Sequence, residues 1–279
     1  MANFHSDAWI MERIQEHYEE AKEYFDENRI VGIFCQGSQN YGLDYENSDI
    51  DTKLIVVPTF EEIAFNKKPH STTYVRANNE HIDFKDIRLY IETFRKQNLN
   101  FLEILFTPYK IINPQYEQWW NRLVENREAI AHYDIHRAIK SMKGIAMEKY
   151  HAMEHRYPTK IDIIDKYGYD SKQLHHLLRV EEYLERYISG VSYEQCLIPD
   201  EETASLLSTI KKDNDYFSLA EAQYNALMSI KHIEALCEYG LSKFPEGYDE
   251  KVDKILKEVQ YEIMRYAVAM ELMEDEYYD

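Results

Sequence analysis

The sequence predicts an α+β protein in which a small mixed-sheet domain is followed by an all-helical domain. Glycine is scarce, with 8 residues in 279, which is typical of a helix-rich chain with few tight turns. Short apolar runs rich in β-branched residues occur before about residue 113 and are typical of strands. From about residue 114 onward, nearly every stretch has apolar residues at helical spacing. We therefore expect two domains, 1–125 and 126–279.

The chain begins with a predicted helix and continues into two predicted strands. Apolar residues at helical spacing predict the helix over 6–28. Residues 29–36 form an apolar run of β-branched and aromatic residues, which predicts a buried strand. A glycine-containing turn over 37–42 follows, and the second strand is predicted from Asp49 to Val57. The glycine turn therefore lies between two strands.

A hairpin and a series of helices make up the rest of the prediction. Two extended segments, 71–77 and 80–85, are joined by Asn78-Asn79, and asparagine tolerates the positive φ of tight hairpin turns. The remaining predicted elements are helices over 87–97, 101–106, 114–130, 134–156, 171–189, 200–212, 218–240 and 248–275, and a strand over 109–112.

The composition restricts the classes of function. The formal net charge is −19, and acidic residues outnumber basic ones in both halves of the chain. A broad nucleic-acid surface needs a field of Lys and Arg, so this charge argues against one, although a small basic pocket for a nucleotide is compatible with it. No apolar run is long enough to span a bilayer, and the N-terminus lacks the pattern of a signal peptide. The three distant cysteines predict reduced thiols. We therefore expect a cytoplasmic protein with no membrane association.

Two aspartates, Asp49 and Asp51, open the second predicted strand. Residues two apart in a strand project to the same face, so the two carboxylates should lie side by side. Their mutual repulsion is offset when a divalent cation binds between them. Carboxylate oxygens are hard ligands that suit Mg²⁺ or Mn²⁺ bridged to substrate phosphates. The pair therefore predicts a metal site.

Gly37-Ser38 lies directly after the first predicted strand. Glycine lets the backbone approach a phosphate closely, and the serine hydroxyl and nearby N–H groups can bind phosphate oxygens. A phosphate cradle beside a metal site is what attack on an α-phosphate requires, because the reaction needs in-line positioning and neutralisation of developing charge.

Residues 31–58 combine an apolar strand, Gly-Ser, a gap of about ten residues and Asp-apolar-Asp. This pattern resembles the signature of the DNA polymerase β nucleotidyltransferase superfamily. More narrowly, Tyr41-Gly42 and the Ser48-Asp49 pair resemble a branch of predicted nucleotidyltransferases that includes RNA-repair-ligase-associated proteins and phage and bacterial relatives. The resemblance implies a third carboxylate on a later strand and a two-metal site. It also implies transfer of a nucleoside monophosphate from an NTP, with ATP the first choice, and release of pyrophosphate.

Asp83 is our choice for this third carboxylate, and Asp86 is its rival. Ile82 and Phe84 would face the core, so Asp83 would face the opposite side of the strand, as a ligand should. Asp86 directly precedes an amphipathic helix and is predicted to be its N-cap. We expect Glu103, in a nearby segment that also resembles the family, to be structural.

The helical half contains a second segment that resembles these relatives, residues 167–179. Lys172, His176 and Arg179 are spaced i, i+4 and i+7 and therefore share one helix face. One interpretation is that they bind phosphates of the nucleotide or of the acceptor. The other is that they form a solvated face paired with neighbouring acids such as Glu182.

The sequence leaves the acceptor open. The resemblance to RNA-repair proteins favours an RNA or tRNA end. A protein hydroxyl, as in antitoxin-like AMP-transferring enzymes, and a small cationic molecule such as an aminoglycoside are the enzymatic alternatives. A nucleotide-binding module without catalysis is the non-enzymatic alternative.

Overall fold

The computed structural model describes the backbone of residues 3–278 and the side chains of residues 3–273. In this part of the chain the strands are β1 (Ile30–Gln36), β2 (Asp51–Val56), β3 (Ser71–Val75), β4 (His81–Asp86) and β5 (Lys110–Ile112). The α-helices are α1 (Asp7–Ala21), α2 (Phe60–Ala64), α3 (Ile87–Arg95), α4 (Leu99–Leu102), α5 (Glu117–Glu125), α6 (Arg127–Ala131), α7 (Ile135–Ala152), α8 (Ile161–Tyr167), α9 (Ser171–Ser189), α10 (Tyr193–Leu197), α11 (Glu201–Lys212), α12 (Leu219–Lys243) and α13 (Glu250–Tyr278). The predicted α+β class, a small mixed sheet followed by a helical region, is confirmed.

The strands form one sheet in the order β3-β4-β2-β1-β5. β2 and β4 run parallel, and the other neighbouring pairs run antiparallel. Lys53 on β2 lies opposite Asp83 on β4. Gln36 at the end of β1 lies opposite Asp51 at the start of β2. The start of β2, the start of β4 and the end of β1 therefore meet at one end of the sheet.

Helix α1 covers one face of this sheet. Its apolar stripe, which includes Ile10 and Ile14, packs against Leu54 and Ile82, and all four side chains are fully buried. Because side chains alternate along a strand, the odd-numbered residues of β2 and β4 lie on the other face. The polar residues of the candidate site are among them.

The chain forms two compact units that are not consecutive along the sequence. The sheet unit contains His5–Asn40, Glu46–Tyr133 and the chain from Tyr248 onward, whereas the helical unit contains Tyr41–Tyr45 and Asp134–Gly247. This division differs from the predicted boundary at residue 125. In the sheet unit, the final helix α13 is held by an ion pair from Arg95 Nε to Asp253 Oδ1 at 2.9 Å. Tyr266 of the same helix packs against the rings of Tyr116 and Trp119.

Helix α9 is the central element of the helical unit and packs on α7, α11 and α12. It spans the predicted residues 171–189, begins at an Asp170 cap and ends at Gly190 with φ +90°. Among the described helices, none is both long and apolar enough to cross a membrane. The three cysteines are buried thiols without disulfide bonds.

Two predicted boundaries near the site are wrong. The first helix ends at Ala21 rather than at 28, and a short 3₁₀ turn over Glu27–Arg29 leads into β1. The second strand begins at Asp51 rather than at Asp49, because the ladder to β1 starts with the pairing of Gln36 and Asp51.

Candidate active site

Asp51 begins β2, and its carboxylate contacts the first residue of β4. Oδ1 accepts hydrogen bonds from the backbone N–H and from Nδ1 of His81, both at 2.9 Å. The parallel pairing of β2 with β4 causes this contact, since it brings the two strand starts together. The side chain of Asp51 remains 34% exposed, so its carboxylate is accessible to a ligand.

Asp83 lies on the same face of the sheet, two residues further along β4. Its Oδ2 accepts a hydrogen bond from Lys53 Nζ at 3.2 Å, and its side chain is 19% exposed. The predicted orientation of Asp83 is confirmed, because Ile82 and Phe84 are buried on the opposite face.

Asp86 has the structural role that was predicted for it. Its Oδ1 accepts from the backbone N–H of Arg88 at 2.8 Å and caps α3, and both oxygens bind the Arg88 guanidinium. The carboxylate is fully buried. Asp83 is therefore the better candidate for the third acidic residue of the site.

Asp49 lies in the loop before β2 and is exposed. Two contacts hold the peptide group between Asp49 and Ile50. Its carbonyl oxygen accepts from Gln39 Nε2 at 2.9 Å, and the N–H of Ile50 lies 3.4 Å from Glu80 Oε1. The position of Asp49 relative to Asp51 is thus set by these two contacts rather than by strand alternation.

Glu80, which sequence analysis missed, is the centre of a buried charge network behind the site. The residue is 4% exposed and binds Arg13, Arg76, His17 and Asn78. Burial alone would raise the pKa of Glu80, but hydrogen bonds from His17, Arg13 and Asn78 outweigh it and hold the pKa well below its usual range. A glutamate beside a hairpin turn carries no local signal of this role.

The Gly37-Ser38 turn follows β1 and begins a short 3₁₀ segment over Ser38–Asn40. Gly37 has φ +96°, a conformation that side chains disfavour, and its N–H donates to Glu103 Oε1 at 3.1 Å. The buried Glu103 carboxylate therefore braces the turn, in line with the structural role expected of it. Asn40 closes the turn, since its Nδ2 donates to the carbonyl oxygen of Cys35.

Lys53 is a buried cation on the site face, and no sequence pattern pointed to it. Its side chain is 5% exposed, and Nζ lies 4.0 Å from the centre of the Phe101 ring. Burial lowers the pKa of Lys53, and the charge of Asp83 partly offsets this effect. Lys85 on β4 lies on the same face of the sheet as Lys53, and its Nζ lies 4.6 Å from the centre of the Phe101 ring.

The donor set of the site suits a hard cation, because Asp49, Asp51 and Asp83 offer carboxylate oxygens. Within the described residues, however, no three acidic, histidine or cysteine side chains are grouped closely enough to hold a metal. Lys53 places a positive charge beside Asp83. His81 places one beside Asp51 when its ring is protonated. The residues therefore fit a divalent ion in chemistry, and binding requires the side chains to rearrange.

The predicted basic face of the helical unit is only partly exposed. Lys172 is exposed, His176 is half-buried and Arg179 is 7% exposed. Burial, with help from the neighbouring His175, lowers the pKa of His176 well below its usual value, so its ring is neutral near pH 7. Glu182, the acid suggested as a partner, binds Arg186 at 2.9 Å.

Lys211 joins this face and was not anticipated. Burial and the charge of Lys172 lower the pKa of Lys211 to about 8. Within the same unit, Lys211 Nζ donates to the carbonyl oxygen of Leu43 at 2.9 Å, and the Arg179 guanidinium lies 3.6 Å from the centre of the Tyr41 ring. The segment Tyr41–Tyr45 is therefore held by these two cations.

A known protein family resembles most of this chain in sequence. The family model described as the RNA repair pathway DNA polymerase beta family matches residues 9–186. A solved nucleotidyltransferase-like protein from Exiguobacterium sibiricum is 13% identical, with a TM-score of 0.27, over 82% of this chain and 75% of that chain. No curated protein matches the chain.

Proposed function

Because the chain belongs to the RNA repair pathway DNA polymerase beta family, a family of DNA polymerase β-like nucleotidyltransferases, we propose that it is a metal-dependent enzyme that transfers a nucleoside monophosphate from an NTP to a hydroxyl acceptor. The observation that carries the proposal is the meeting of three strand ends. The Gly37-Ser38 turn leaves β1 next to Asp51, and Asp83 lies on the neighbouring parallel strand with its side chain on the same face as that of Asp51.

Asp49, Asp51 and Asp83 are assigned to Mg²⁺ or Mn²⁺. A divalent ion bound there would neutralise charge on the phosphates and on the attacking oxygen. The chain's own groups supply the rest: Ser38 and the turn backbone bind phosphate oxygens, and Asp83 accepts the proton of the acceptor hydroxyl. The Asp83 carboxylate is held by its ion pair with Lys53.

Lys172, His176 and Arg179 are proposed to bind phosphate oxygens of the nucleotide or of the acceptor, and Lys211 is added to this set. Lys172, Arg179 and Lys211 lie close enough to influence one another, since the charges of Lys172 and Arg179 both contribute to the lowered pKa of Lys211. Such repulsion within a cluster is relieved when an anion binds. His176 acts there as a neutral hydrogen-bonding ring.

An RNA end is the acceptor we propose, and ATP is the donor. The net charge of −19 favours contact with a short terminal segment over a long nucleic-acid footprint. To test this, each α-³²P-labelled NTP is incubated with Mg²⁺ and a short RNA with a free 3′-hydroxyl, and label on the RNA and release of pyrophosphate are measured. Parallel reactions contain total protein or an aminoglycoside in place of RNA.

Label on the RNA with equimolar pyrophosphate is the expected result. Label on protein or on the aminoglycoside would retain the enzyme class and replace the acceptor. NTP binding without pyrophosphate release from any mixture would contradict the enzymatic proposal and indicate a nucleotide-binding module.

Replacing Gly37 by Ala is expected to destabilise the protein by about 1–2 kcal/mol, because an alanine is strained at φ +96°. The proposed phosphate contacts should be lost as well, so ATP affinity should fall by about tenfold. Urea unfolding and an ATP titration measure the two effects.

Gly190→Ala is the matched control for this substitution. Gly190 ends α9 with φ +90°, and a β-carbon at this position would meet only open space, so the substitution adds the same backbone strain away from the turn. We expect an equal loss of stability with unchanged ATP affinity. Equal ATP affinity in both variants would contradict the role of the turn.

A further inference from the structure

Lys53 is unusual because a cation lies almost fully buried next to carboxylates that are proposed to bind another cation. Its ammonium group lies between Asp83 Oδ2, at 3.2 Å, and the ring of Phe101, whose centre is 4.0 Å away. Strand alternation also puts Lys53 on the face that carries Asp51, two residues earlier on β2. The charge is therefore built into the acidic end of the sheet.

Burying an ammonium group is unfavourable unless an anion and other contacts compensate for it. Asp83 provides the anion, and the electron-rich face of Phe101 provides further stabilisation. In return, Lys53 offsets the repulsion that acidic side chains on one face exert on each other. A divalent ion would meet the positive charge of Lys53 at the same carboxylate.

We propose that Lys53 is a positioning residue that acts as an internal counter-ion for Asp83 and competes with the divalent ion for this carboxylate. Lys53 holds the Asp83 carboxylate in place in the metal-free protein. It also keeps metal affinity low until the phosphates of an NTP add their own ligands. This inference rests on the proposed function, because it takes Asp83 to be a metal ligand.

Removing the charge should therefore strengthen metal binding to the nucleotide-free protein. Mn²⁺ is titrated by calorimetry into the wild type, Lys53→Met and Lys53→Gln. Two cations that share one carboxylate repel each other strongly near a protein surface, and we expect the dissociation constant to fall by at least about tenfold in both variants. A purely structural role for Lys53 would instead predict weaker binding.

Lys85→Met is the matched control, since Lys85 places a charge over the same Phe101 ring from β4. The dissociation constant of Lys85→Met for Mn²⁺ should stay within about threefold of the wild-type value, because this substitution leaves the charge paired with Asp83 in place. Circular dichroism checks that each variant is folded. Two neutral replacements of different shape are used so that misfolding of one leaves the test intact.

Asp83→Asn separates the failure of this inference from failure of the proposed function. If Asp83→Asn weakens Mn²⁺ binding but the Lys53 variants bind like the wild type or more weakly, the counter-ion role is overturned and the metal site stands. If Asp83→Asn leaves Mn²⁺ binding unchanged, Asp83 is not a ligand, and both the assigned metal site and the role of Lys53 are overturned.

Discussion

Asp51→Asn is expected to reduce nucleotidyl transfer by about 10³-fold while leaving the fold intact, a loss comparable to that of a key group that stabilises the transition state. Asparagine keeps an oxygen that can accept the two hydrogen bonds from His81, so the junction between β2 and β4 should survive. The substitution removes only the negative charge of Asp51. The proposed metal site needs this charge to bind its cation. Single-turnover transfer of labelled nucleotide measures the effect.

Asp26→Asn is the control for the loss of one negative charge. Asp26 is exposed, lies before the 3₁₀ turn that leads into β1, and makes no capping hydrogen bond with its side chain. The transfer activity of Asp26→Asn should match that of the wild type. If Asp51→Asn retained more than about a tenth of wild-type activity, Asp51 would not be a metal ligand in the reaction.

Strand alternation explains why Asp83 could be selected from the sequence. Ile82 and Phe84 identify the core face of β4, and the residue between them must project to the other side. Asp86 could be separated from Asp83 because an N-cap has its own local pattern, an acidic residue directly before an amphipathic stretch. Both inferences depend on near neighbours in the chain.

Asp49 marks the limit of this reasoning. The Asp-apolar-Asp pattern suggested that both aspartates belong to the strand, yet β2 begins only at Asp51. What fixes the backbone around Asp49 is a pair of contacts from Gln39 and Glu80. Contacts of this kind leave no periodic signal in the sequence.

Long-range pairing also explains the residues that were missed. Glu80 binds Arg13, which is 67 positions away along the chain, and Lys53 binds Asp83 across 30 positions. The same limit applies to α13, whose helical character was predicted. Its contacts with the sheet unit include the ion pair between Asp253 and Arg95, which no local pattern encodes.

Glu80→Gln is expected to destabilise the protein by about 3 kcal/mol at pH 7, because it leaves the charges of Arg13 and Arg76 without their buried partner. The effect should depend on pH. The folded-state pKa of Glu80 lies below the unfolded value, so its contribution is present above that unfolded value, about 4.3, and is lost as the pH falls further. The difference in stability between wild type and Glu80→Gln should therefore narrow below about pH 4.3. Urea unfolding at pH 7 and at several acidic pH values measures it.

Glu16→Gln distinguishes a buried network from an exposed ion pair. Glu16 binds the same two arginines, but its side chain is 42% exposed, and pairs of this kind contribute about 0–1 kcal/mol. The loss of stability in Glu16→Gln should therefore be small. If Glu80→Gln were no less stable than Glu16→Gln, the buried network would contribute no more to stability than an exposed ion pair does.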